Sequence, residues 1–181
     1  MTTAGTGILE LPIFMTSTTP LAGVAELYER HYEAVFRAAL RVTGNAADAE
    51  DVLQTVFLRV LVRSGTDAAG SPGTDGVAMT AAYFKRAAVN AAVDVLRRRE
   101  MHAESGHDVH ELPASQPPLL LKERLRRAIA ALDSDDASLF LLRYVEGLSN
   151  EELADMFQLE KNNVAVRLYR IRRRLQVEMQ R

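Results

Sequence analysis

The sequence predicts an all-α protein made of two small helical domains joined by a flexible linker. Apolar residues recur at helical steps of three and four through long stretches of the chain, starting near Pro20. Residues 102–118 interrupt these stretches with three prolines and no periodicity, which is typical of a linker. The length of 181 residues suits one ordinary domain or two small ones, and a hydrophobic content of 48% indicates a globular chain.

Composition restricts the compartment and the chemistry. The chain has no cysteine, which excludes disulfides and thiolate metal sites and fits a reducing, cytoplasmic location. The apolar run at 8–15 is short and is broken by Glu10 and Pro12, so we expect neither a signal peptide nor membrane insertion. The sequence contains no Gly-rich phosphate loop and no nucleophile–base pair at a recognisable spacing. We therefore expect no enzymatic activity, no metal and no other cofactor.

The net charge of −2 hides a strong segregation of charge along the chain. Residues 161–181 contain seven Lys or Arg and one acid, whereas residues 133–160 contain eight acids and one Arg. Residues 78–101 contain five Lys or Arg and two acids. Phosphate affinity scales with the number of charges neutralised, and this chain offers few cations outside its local patches. The sequence thus predicts a protein that binds DNA poorly alone and needs a larger partner.

The first domain is predicted at residues 20–101, after a flexible arm at 1–19 that is rich in Thr, Gly, Ser and Pro. Its first helix spans about 20–42 and has one apolar face. His31 lies within this helix, where a packed structural histidine is expected rather than a ligand.

The second helix is predicted at 46–62, with acids in its first turns that the helix dipole favours. Apolar residues nearly encircle it. Either the helix is buried on every side, or one side is kept for a protein partner. The segment 64–76 follows, with four Gly, one Pro and no periodicity, and is predicted to be a loop.

The third helix is predicted at 77–99 and mixes apolar positions with a polar and basic set. Tyr83 and Phe84 precede a Lys–Arg pair, which fits either a stacking site for single strands or two core aromatics beside solvated cations. The polar and basic set, whose later members are three or four residues apart, consists of Lys85, Arg86, Asn90, Asp94, Arg97 and Arg98.

The second domain is predicted at 119–181 and ends in a hairpin of two helices between Leu148 and Leu175. Ser149 and Glu152 have the spacing of a capping box at the start of the first hairpin helix. The second hairpin helix carries an apolar stripe and, off that stripe, amides and arginines that can reach base edges or phosphates. The arrangement is typical of a DNA-reading helix-turn-helix, the alternative being a helical hairpin with a solvated charged face.

Four segments, in this order, resemble the extracytoplasmic-function (ECF, group IV) sigma factors of bacterial RNA polymerase. The resemblance covers nearly all of residues 24–177. The four segments are DAEDVLQTVFLRVL (48–61), AYFKRAAVNAAVDVLRRR (82–99), LFLLRYVEGLSNEELADMF (139–157) and NNVAVRLYRIRRRL (162–175). The resemblance implies that residues 20–101 correspond to sigma region 2 and residues 119–181 to sigma region 4.

The resemblance also implies partners and site residues. An ECF sigma factor binds core RNA polymerase through its clamp and flap, recognises promoter DNA, and is usually held inactive by an anti-sigma factor. The positions that match the reading helix for the −35 element are Asn162, Asn163, Val166, Arg167 and Arg170. Those that match the −10 element surface are Lys85, Arg86, Asn90, Asp94, Arg97 and Arg98. Those that match the polymerase-binding helix are Asp48, Asp51, Gln54 and Phe57.

The sequence departs from the family pattern at a few positions. It has no Trp, although the family usually has Trp near Leu61 and at Ala82; the family's turn Gly is replaced by Gln158, and its common basic residue by Ala165. Two other functions are compatible with parts of the chain. One is a stand-alone helix-turn-helix regulator, and the other is an interaction protein that mimics a sigma factor.

Overall fold

The computed structural model describes residues 20–67, 80–104 and 117–180, and all regular secondary structure in these ranges is helical. The predicted arm at 1–19 and most of the predicted linker lie outside the described residues. In the described ranges, no helix has the length and apolar character needed to cross a membrane. The helices, in chain order, are α1 (Pro20–Thr43), α2 (Ala46–Asp67), α3 (Ala81–Glu104), α4 (Pro117–Ala130), α5 (Ser134–Tyr144), α6 (Asn150–Phe157) and α7 (Lys161–Gln180).

The first domain is a bundle of α1, α2 and α3. Small and β-branched residues such as Val35, Val56 and Ala88 are fully buried where the three helices meet, which permits close helix–helix approach. His31 is 9% exposed and stacks on Phe84 with ring centroids 4.3 Å apart, which confirms the prediction of a packed structural histidine. Burial, and secondly the charge of Arg30, lower the pKa of His31 below its usual 6.5.

Three helix ends in the first domain differ most from the sequence prediction. α2 continues to Asp67, so the prediction of a loop from residue 64 is wrong for its first four residues. The Ser64 hydroxyl donates to the Val60 carbonyl at 2.9 Å, a bond that lets a serine continue a helix. α3 begins at Ala81, where the Tyr83 backbone N–H donates to the Thr80 hydroxyl at 3.3 Å, and it extends to Glu104, into the predicted linker.

The second domain packs α4, α5 and α6 around α7. The predicted apolar stripe of α7 is confirmed, because all four of its members are buried: Val164, Leu168, Ile171 and Leu175. The same core cluster includes buried leucines of α5 and α6, among them Leu142 and Leu153. Gly147 follows α5 with a φ of +75°, in the left-handed region that glycine adopts without strain.

The two domains pack against each other through α3, which lies along α4 and α5. Buried apolar residues of both domains belong to one cluster. Polar contacts surround it: Arg41 forms an ion pair with Glu146 at 2.7 Å, and Arg126 Nε donates to the Val42 carbonyl at 3.2 Å. The structure is therefore a closed arrangement of the two predicted domains.

Candidate nucleic-acid interface

α6 and α7 form the predicted helix-turn-helix. The capping box at the start of α6 is confirmed: the Ser149 hydroxyl accepts from the Glu152 backbone N–H at 3.2 Å, and the Glu152 carboxylate accepts from the Ser149 N–H at 2.7 Å. Gln158 ends α6 in the left-handed region, with φ 54° and ψ 44°. This sharp reversal sets the direction of α7, whose first turn begins at Lys161.

The first half of α7 presents most of the predicted −35 residues to solvent. Asn162, Asn163, Val166 and Arg170 are all exposed, on the side away from the buried stripe. Arg167 is half-buried, and its Nε lies 2.5 Å from Oδ1 of Asp136 in the first turn of α5. The structure thus places all five residues along one half-helix, four of them open to a partner.

The predicted −10 residues of α3 are arranged differently, because three of them bind the second domain. Arg97 donates to two carbonyls at and just after the end of α4, from Nε to Ala130 at 3.2 Å and from Nη2 to Leu132 at 2.6 Å. Asn90 Oδ1 accepts from the Ser138 hydroxyl of α5 at 2.5 Å. This face of α3 is therefore covered in the closed arrangement.

Arg86 extends the covered face toward α6. Its Nη1 donates to the Met156 carbonyl at 2.6 Å, and its guanidinium lies 4.4 Å from the ring centroid of Phe157. Beside it, α3 and α6 enclose a cleft of about 680 Å³ whose lining includes Tyr83, Lys85 and Glu152.

The remaining α3 positions are more accessible. Lys85 and Asp94 are half-buried, and Asp94 faces Arg59 of α2 at 3.9 Å, whereas Arg98 is exposed. Phe84 is fully buried, so the core interpretation of that aromatic is confirmed and a stacking role for it is excluded. Tyr83 is half-buried and meets Phe84 edge-on, with ring centroids 5.4 Å apart.

α2 carries the residues predicted to bind polymerase. Asp51 and Gln54 are exposed, whereas Asp48 is mostly buried in an ion pair with Arg99. The prediction for Phe57 is corrected: its ring is 7% exposed and packs against Tyr28 and Phe84, so it offers almost no surface to a partner.

The apolar residues that α2 does expose are Leu58 and Val62, at 59% and 67%. They continue the line of Asp51 and Gln54 at steps of four. α2 is thus not buried on every side, and one mixed polar and apolar face stays open.

Comparison with known proteins shows the family. The sequence matches Sigma-70 region 2 over residues 27–101 and Sigma-70, region 4 over residues 122–175. The RNA polymerase sigma factor CarQ of Myxococcus xanthus is 31% identical over 150 residues, which cover 80% of this chain and 82% of CarQ. The ECF RNA polymerase sigma factor SigE of Mycolicibacterium smegmatis is 31% identical over 160 residues. This chain belongs to the ECF sigma factors.

The match to SigE covers 83% of this sigma factor but only 59% of SigE. A solved structure of the sigma factor RpoE in complex with the anti-sigma factor NepR, from Bartonella quintana, has a TM-score of 0.47 and 16% identity to this sigma factor. It covers 87% of this chain and 97% of RpoE.

Sequence reasoning missed the contact between the two domains of this sigma factor. The signal that could have indicated it is charge complementarity, because the basic stretch 78–101 and the acidic stretch 133–160 have opposite sign. Charge alone does not identify the partners, however. Arg86 and Arg97 bind backbone carbonyls rather than carboxylates, and no side-chain pattern predicts such carbonyl contacts.

Proposed function

We propose that this sigma factor binds core RNA polymerase and directs initiation at specific promoters, with α7 reading the −35 duplex and α3 holding the melted −10 element. The observation that carries the proposal is the presence of region 2 and region 4 in order on one chain. A stand-alone helix-turn-helix regulator would need only the second of these regions.

The proposal for the −35 element rests on the exposed half of α7. Asn162 and Asn163 stand at the helix start, where amide side chains can pair with adenine edges. Val166 is 48% exposed and offers methyl groups that suit a thymine methyl. Arg170 is exposed one turn further on, where an arginine can bind a base edge or a phosphate.

The proposal for the −10 element requires the two domains to separate. Arg86, Asn90 and Arg97 cannot hold a DNA strand while they bind α5, α6 and the segment after α4. The interface has an apolar centre surrounded by polar contacts, and these polar groups can exchange their partners for water or DNA when the domains separate. We infer that polymerase binds the separated arrangement better than the closed one, because a ligand shifts such an equilibrium only through its differential affinity.

Two surfaces support binding to core polymerase. The first is the open face of α2, where Asp51 and Gln54 lie in line with exposed Leu58 and suit the polymerase clamp. The second is a groove of about 450 Å³ between α4, α5 and α7, whose mainly apolar lining includes Leu125 and Tyr169. We propose that this groove receives an apolar segment of the polymerase flap.

We also propose, from the family resemblance, that an anti-sigma factor regulates this chain. The same α2 face and α4–α5–α7 groove are the surfaces for which such a protein would compete with polymerase, since they are the exposed apolar surfaces described above.

The test is transcription in vitro with bacterial core RNA polymerase, with and without this protein, on a promoter library. Initiation at a defined promoter class supports the proposal. Specific duplex binding without polymerase, at physiological salt, would instead support a stand-alone regulator. Binding to core polymerase without initiation would support a sigma mimic.

One variant tests the α2 face separately. Asp51→Arg should weaken core binding at least tenfold, because it places a cation where the exposed carboxylate stood on a binding surface. Glu29→Arg, which makes the same charge change at an exposed position of α1, is the control and should leave core affinity unchanged. Equal affinities for the two variants would remove this face of α2 from the interface.

A further inference from the structure

One contact in the second domain concerns how the −35 element is discriminated. Arg167 is the only predicted −35 residue that forms an ion pair within the described part of the chain, from its Nε to Oδ1 of Asp136 at 2.5 Å. The two residues are 31 positions apart and join α7 to α5. The side chains are 34% and 21% exposed, so the pair is partly shielded from water.

The atom used by Arg167 determines what the rest of its guanidinium can do. The contact occupies Nε and leaves the four hydrogens of the two Nη atoms for a second acceptor. Those two nitrogens form the end of a planar fork that matches O6 and N7 of guanine. An arginine held in this way can bind a guanine through its two Nη atoms, which we call end-on recognition. It cannot bind a base through Nε and one Nη, because Asp136 occupies Nε.

Asp136 is well placed to hold the fork still. It lies in the first turn of α5 between exposed Asp135 and fully buried Ala137, so its backbone is fixed by the core. The Asp136 carboxylate also lowers the overall affinity for DNA, because it brings a negative charge close to a helix that must approach phosphates. A residue with both effects lowers the affinity for every DNA sequence and increases the discrimination between bases at one position.

We propose that Asp136 is a positioning residue that fixes Arg167 for end-on recognition of one guanine in the −35 element. This inference rests on the proposed function, since it requires α7 to read DNA. A purely structural link between α5 and α7 would make a different prediction, because its loss would weaken binding to every sequence alike.

The experiment measures promoter-directed transcription by the full chain with core polymerase, on templates that carry all four base pairs at each −35 position. Asp136→Ala removes the acceptor of the Arg167 Nε–H and should reduce the preference for guanine at one position by about fivefold or more, with no loss of binding to other sequences. Asp135→Ala removes the same charge from the exposed neighbour and should keep the wild-type base preference. Arg167→Lys should lose the same preference, and combining it with Asp136→Ala should cost no further discrimination.

The outcomes separate this inference from the proposed function. If wild-type protein initiates and Asp136→Ala keeps the same base preference, the positioning role is refuted while the sigma activity stands. A uniform loss across all sequences refutes it as well and makes the contact structural. If wild-type protein gives no initiation, the proposed function and this inference fall together.

Discussion

The closed arrangement can be weakened at one hydrogen bond without substituting any residue that is predicted to contact DNA or polymerase. Ser138 is buried in α5, and its hydroxyl donates to Asn90 Oδ1 of α3 at 2.5 Å. Ser138→Ala removes that donor and adds no bulk. Because alanine favours helix formation, α5 itself should not be weakened.

The expected magnitude follows from the state of Asn90. Its amide is half-buried, so in the closed state the variant leaves Oδ1 only partly solvated, whereas separation of the domains exposes it to water. Loss of one such partner costs about 1 kcal/mol, the lower end of the range for a buried acceptor, and should raise the ratio of separated to closed molecules about fivefold.

Single-molecule energy transfer measures this ratio directly. The natural chain has no cysteine, so Glu50→Cys on α2 and Gln176→Cys on α7, both at exposed positions, supply unique labelling sites. Ser134→Ala, at the exposed start of α5, is the matched control and should leave the ratio unchanged. If Ser138→Ala is folded and its distance distribution equals that of the control, the Ser138 contact does not stabilise the closed state.

Three further variants test local features by urea unfolding. Gln158→Gly should raise the free energy of unfolding by about 1 kcal/mol, since it removes the steric cost of a non-glycine residue in the left-handed region. A lower free energy of unfolding would contradict this. Ser149→Ala should lower it by about 1 kcal/mol. Hydrogen bonds from the Ser149 backbone N–H, and secondly from its hydroxyl, hold the pKa of Glu152 below 4.5, so the stabilisation that depends on the Glu152 carboxylate is present above pH 4.5 and is lost below it. Ser149→Ala keeps the backbone bond and should only reduce this pH dependence; an unreduced dependence would exclude the hydroxyl as a contributor. Because folding lowers the pKa of His31, the unfolded chain binds a proton at a higher pH than the folded chain, and the free energy of unfolding should fall as the pH drops below 6.5. His31→Phe should make the free energy of unfolding depend less on pH in this range. An unchanged pH dependence would assign it to other groups.

Local features of the fold could be predicted from the sequence because each depends on neighbours along the chain. The capping box at Ser149 follows from a three-residue spacing, and the buried stripe of α7 follows from helical periodicity. The exposed −35 residues are the complement of that stripe. Phe57 was assigned to the polymerase-binding set by family resemblance, and because apolar residues surround α2, periodicity could not show that this side chain faces the core.

The sequence by itself determined two helical modules, their order and the polar faces that each could offer to DNA or polymerase, since periodicity, caps and charge are written along the chain. The tertiary structure alone decided that the two modules close on each other, that the predicted −10 face of α3 is covered, and that Arg167 is held by Asp136. The physical reason is that these contacts join residues more than thirty positions apart, often through backbone carbonyls, which have no sequence signature.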